Sequence, residues 1–150
     1  NKTPEMLDRY RNGERTVNGA PDHEKRRHEI DFYERLASKG IPDETARRAA
    51  VKFRAAFDEL EQRLSKGSYF LGDAMSVMDI AWFVYASRLN FGGYPFARLH
   101  PRVHAWRETL AADERFAREV EPPQPLLVTM ARNHADWAKA GTAFMDVAGF

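Results

Sequence analysis

The 150 residues contain no cysteine. Disulfide staples, thiolate metal sites and thiol nucleophiles are excluded together. An excess of either charge is also lacking: 23 basic side chains face 22 acidic ones, for a formal net charge of +1. A nucleic-acid partner calls for a strongly basic field, so none is expected. No apolar run approaches the about 20 residues that cross a bilayer, and the 77–86 stretch is half of that. No membrane partner is expected either. Asn1 is not followed by a basic-then-apolar leader, so a cytoplasmic location is the expectation. Strand-like alternation is too brief for a sheet, and no segment repeats. The length suits one domain with a sizeable core.

What is present is organised around Tyr69–Leu89, YFLGDAMSVMDIAWFVYASRL. Ser76 can cap a helix whose N3 residue, Asp79, reaches back to the Ser76 amide. Met75 and Ile80 occupy the N′ and N4 positions of a hydrophobic staple. From Val77 to Ala86 the only charge is Asp79. The rest is apolar on every face, which predicts a helix surrounded by others, with Trp82, Phe83 and Tyr85 in the core.

Upstream, Asn1–Ala20 is polar and turn-rich, an arm in which Thr3-Pro4-Glu5 can start a short helix carrying Met6, Leu7 and Tyr10. Pro21 reads as N1 of a helix that runs to Lys39 and stops at Gly40. A second helix starts near Asp43 and ends at Gly67, with Ala46, Ala49, Ala50, Phe53, Phe57, Leu60 and Leu64 at three- and four-residue spacing. An antiparallel pair across the short 40–42 turn is expected. Downstream, Phe91-Gly92-Gly93-Tyr94-Pro95 forms a loop and Pro101 opens a helix with Val103, Trp106 and Leu110 inward. Asp113 caps a short helix. Glu121-Pro122-Pro123-Gln124-Pro125 interrupts the chain before a last helix from about Leu126 to Lys139. The domain reading is an arm over 1–20, a helical domain over 21–140 and a tail over 141–150. The fold class is all-α, with about six main helices around 76–89.

No catalytic constellation emerges. His100 and His104 stand at i and i+4, but no neighbouring Asp, Glu or Cys completes a metal motif. His28 and Asp31 form a possible pair, and His134 sits beside Trp137 in sequence. None has a serine or cysteine partner placed as in a nucleophilic triad. Glu59 and Glu61, two apart, face different sides of their helix, so no general acid/base pair is expected. Arg98 and Arg102 with Tyr94 and Phe96 make a short basic-aromatic cluster.

Phe70-Leu71-Gly72-Asp73 followed by Ser76-Val77-Met78-Asp79-Ile80 resembles the start of the central helix in the C-terminal domain of glutathione transferases. Tyr94-Pro95 and Leu99-His100-Pro101-Arg102-Val103-His104-Ala105-Trp106 resemble that family's approach to the next helix. The resemblance spans roughly Pro21 to Val120. It implies a helical bundle around a buried central helix, in which Ser76 and Asp79 are structural. It also implies a parent protein with a thioredoxin-like domain in cis, glutathione as co-substrate, a small hydrophobic electrophile as acceptor, and a homodimer. The helical domain would supply the acceptor wall, for which Tyr10, Tyr33, Trp137 and Phe144 are the candidates. The thiol-activating residue would lie in the other domain, so no catalytic residue is assigned here and the chain alone is expected to be inactive. Non-catalytic relatives use the same helical domain for protein assembly, which is the alternative function.

Overall fold

Glycine and proline punctuate the chain much as their backbone preferences require. The computed structural model describes residues 3–12, 16, 17, 20, 21 and 23–150. It divides into two compact units, residues 1–45 and 46–150.

In the first unit, α1 (Pro4–Asn12) starts with the Thr3 hydroxyl accepting from the Met6 amide at 3.3 Å. Two short antiparallel strands follow, β1 (Thr16–Val17) and β2 (Ala20–Pro21), with Thr16 opposite Pro21. Pro21 therefore belongs to this ribbon and is not N1 of the next helix. That helix, α2 (His23–Lys39), begins two residues later and ends at Gly40, whose φ of +66° favours glycine. α1 packs on α2. Leu7 and Ile30 are their buried residues, and Arg11 meets the Glu34 carboxylate at 2.6 Å.

The second unit holds nearly all of α3 (Asp43–Arg63), then α4 (Val77–Phe91), α5 (Phe96–Leu99), α6 (Pro101–Ala111), α7 (Glu114–Val120), α8 (Gln124–Ala140) and α9 (Phe144–Ala148). Its core joins Phe57 and Leu60 of α3, Phe70 of the loop before α4, Phe83 and Ala86 of α4, Tyr94, Phe96, and Val103, Trp106 and Leu110 of α6. Many of these contacts are edge-on or tilted aromatic pairs. Phe57 meets Phe96 at 4.8 Å and 82°, and Phe70 meets Trp106 at 4.4 Å. Such pairs contribute about 0.5–1.5 kcal/mol each beyond the area they bury.

α4 is enclosed on one side only. Asp79, Phe83, Ala86 and Ser87 are buried, whereas Val77 is 81% exposed, Ile80 47% and Tyr85 51%. The expectation of cover on every face, with Tyr85 in the core, is corrected: α6 and α7 pack against the buried side. The helix after the prolines begins at Gln124, two residues earlier than the sequence suggests. Pro125 is tolerated there because first-turn amides have no intrahelical acceptor to lose. The 141–150 tail contains α9, and Phe144 and Phe150 pack against the core. Among the described residues no helix is long and apolar enough to cross a membrane.

Candidate functional site

The start of α4 is built around a buried carboxylate. Asp79 is fully enclosed and accepts from the Ser76 amide at 2.9 Å, the Ser76 hydroxyl at 2.7 Å and the Phe70 amide at 3.1 Å. The first of these bonds is the one the sequence foretells. The Ser76 hydroxyl, however, donates to Asp79, where a reciprocal box would have it accept from the Asp79 amide. The bond to Phe70 lay beyond sequence reasoning, because it fastens a loop nine residues upstream. That loop is drawn tight at Tyr69 and Gly72, which exchange two backbone hydrogen bonds at 2.8 and 3.2 Å. Met75 and Ile80 are 38% and 47% exposed, so much of each staple side chain remains in water. Three donors and a helix N-terminus satisfy the Asp79 charge, an arrangement suited to nucleating a helix.

A second cluster surrounds His100, the residue preceding α6. His100 is 1% exposed, and its Nε2 lies 2.9 Å from the Tyr94 hydroxyl. Its Nδ1 lies 3.6 Å from the Asp58 carboxylate. Burial pushes the His100 imidazole below its ordinary range, against the opposing pull of Asp58 and Glu61. Burial likewise pushes the Tyr94 hydroxyl up to about 12. Glu61, one turn along α3 from Asp58, accepts from the Arg102 and Val103 amides at 3.0 and 2.9 Å. It thereby satisfies two free donors at the N-terminus of α6 from another helix. Glu59 instead pairs with Arg63 at 2.7 Å, consistent with two carboxylates that face apart. Tyr94 and Phe96 are buried, so the basic-aromatic cluster offers no stacking platform for bases.

Of the acceptor-wall candidates, Trp137 and Phe144 share the second unit, and no described contact joins them. Tyr10 lies on α1, with its side chain outside the described residues. Tyr33 packs edge-on to Phe32 at 5.3 Å, Trp137 meets His134 at 5.5 Å, and Phe144 meets Tyr94 at 5.7 Å. A cleft of about 540 Å³ opens beside Gln62, Lys66, Phe70 and Leu71, and one of about 430 Å³ beside Leu7, Arg11, Glu34 and Ala37. Tyr33, Trp137 and Phe144 line neither cleft. His28 approaches Glu24, one turn before it, at 4.0 Å, whereas the Asp31 suggested by sequence lies about one turn after it. Among the described residues no three His, Cys, Asp or Glu side chains are grouped to hold a metal.

Residues 43–109, from the start of α3 to near the end of α6, match the family model described as glutathione S-transferase, C-terminal domain. The matched segment is a glutathione S-transferase C-terminal domain. A curated relative, described as probable glutathione S-transferase GSTF1 of Oryza sativa subsp. japonica, is 36% identical over 81 residues. That alignment covers 51% of this chain and 36% of the rice protein, so the chain spans little more than a third of that relative. No solved structure is a significant match. The glutathione S-transferase segment contains the Asp79 and His100 clusters, while α7, α8 and α9 lie outside it.

Proposed function

We propose that this chain is the helical half of a cytoplasmic glutathione S-transferase that works as a homodimer. A thioredoxin-like domain in cis would bind glutathione and activate its thiol. The helical half would present the wall for a small hydrophobic electrophile, with Tyr10, Tyr33, Trp137 and Phe144 as candidates. The observation that carries this reading is the open apolar side of α4, Val77, Ile80 and Tyr85, within a segment of this family. Contiguous apolar surface left in water forgoes about 25 cal/mol per Å² and usually marks a docking face. The thioredoxin-like domain is the occupant we assign to it.

Within this chain Ser76 and Asp79 are structural, and none of its residues is assigned to the reaction. A second reading, a non-catalytic assembly module, is favoured by α8. None of its residues is buried, and Leu126, Val128 and Trp137 are 43%, 70% and 39% exposed.

Retention on immobilised glutathione separates the readings. The full-length product of the reading frame should be retained and eluted by free glutathione, whereas this chain should flow through. Flow-through of a folded full-length product would favour the assembly module.

A further inference from the structure

The C-terminal segment is fastened in part by two groups next to His100, Tyr94 and Arg54. The Phe144 ring lies 5.7 Å and the Phe150 ring 5.9 Å from the ring of Tyr94. The Arg54 guanidinium stands 5.1 Å over the Phe150 ring. The Arg47 Nε donates to the Val147 carbonyl at 3.0 Å, and the Arg98 guanidinium reaches the Met145 sulfur at 3.5 Å. Tyr94 and Arg54 thus touch the segment on one side and the surroundings of His100 on the other.

We propose that Asp58, His100 and Tyr94 form an acid-sensitive latch that holds residues 143–150 against the rest of the second unit. The tautomer follows from the partners. Nδ1 makes no hydrogen bond among the described residues but lies 3.6 Å from the Asp58 carboxylate, so we assign it the proton, and Nε2, 2.9 Å from the Tyr94 hydroxyl, accepts. A proton taken from solvent at Nε2 turns that nitrogen into a donor. Tyr94 Oη must then accept, and its own hydrogen loses its acceptor in a site where the residue is 3% exposed. The charged and titratable groups facing the imidazole are Arg54, Asp58 and Glu61 of α3 and Tyr94 of the loop before α5. The two carboxylates attract an imidazolium, but Asp58 is 60% exposed and 3.6 Å away, so its attraction is screened. Arg54 repels it, and Arg54 is the cation over Phe150. Protonation therefore disturbs both Tyr94 and Arg54, and the segment loosens while the core stays folded.

Amide hydrogen exchange of residues 143–150, corrected for the intrinsic rate, tests this latch near pH 7 and pH 5. In the unaltered chain, protection should fall about fivefold or more at the lower pH, while protection in α4 is kept. Tyr94→Phe, which has no hydroxyl to reverse and keeps only the repulsion of Arg54, should lose most of the pH dependence. Asp58→Asn, which removes an attraction for the imidazolium, should move the midpoint to lower pH. Unchanged protection in the unaltered chain would overturn the proposal. So would wild-type pH dependence in Tyr94→Phe, an unmoved midpoint in Asp58→Asn, or loss of α4 protection in step with the segment.

Discussion

The Phe70 amide donates to the Asp79 carboxylate at 3.1 Å, so the first turn of α4 and the loop that feeds it are held by one buried side chain. Asp79→Ala leaves the Phe70 and Ser76 amides without that acceptor in a dry site. The expected loss is about 1–3 kcal/mol, the range for orphaned buried donors. Urea unfolding of both proteins measures it, and a loss below about 0.5 kcal/mol would show that water replaces the carboxylate.

Glu61 performs a comparable task between helices, accepting from Arg102 and Val103 at the start of α6. Glu61→Ala should lower stability by about 1–2 kcal/mol, as loss of an N-cap does. Glu61→Gln, which keeps one acceptor oxygen, should fall between the two. Equal stability of all three proteins in urea would contradict the bridging role.

Gly67 has no room for a side chain, because an added Cβ would sit 2.8 Å from the Gly72 backbone. Gly67→Ala should destabilise the domain by about 1–3 kcal/mol through displacement of the 67–72 loop. A thermal melt compares it with Gly40→Ala. At Gly40 an added Cβ meets nothing, and only the positive φ is strained. An unaffected Gly67→Ala midpoint would show that the loop shifts freely.

Stability should depend on pH in two windows. His100 has a lowered pKa in the folded chain, so folding binds fewer protons than the unfolded state. Its contribution is present above the ordinary histidine value of about 6.5 and is lost as pH falls through the folded value. Tyr94 is raised to about 12, so its contribution holds below about 10 and is lost as pH rises from there towards 12. Urea midpoints between pH 5 and pH 11 should show a plateau falling at both ends, with the alkaline fall reduced in Tyr94→Phe. A stability that keeps rising above pH 10 would contradict the burial of that hydroxyl.

Much of the second unit was legible because its signals are local. Ser76 and Asp79 are three residues apart, Val103, Trp106 and Leu110 repeat at helical spacing, and Asp113 accepts from the nearby Arg115 amide at 2.9 Å. Bonds between elements were not legible. Asp58 to His100 and Glu61 to Arg102 span about forty residues, and no periodicity announces such a pairing. The open side of α4 was missed for a related reason: a helix apolar all round reads as enclosed whatever its neighbours leave uncovered. The aromatic character that marks Tyr33, Trp137 and Phe144 in the sequence is explained equally well by ordinary packing against Phe32, His134 and Tyr94.

Conjugation of glutathione to a chlorinated aromatic acceptor tests the central proposal most directly. The reaction needs a glutathione thiolate held beside a group that favours its charge, and fixed relative to the acceptor. This 150-residue chain should give the uncatalysed rate while the full-length product turns over. Turnover by the chain alone would contradict the assignment of catalysis to the thioredoxin-like half.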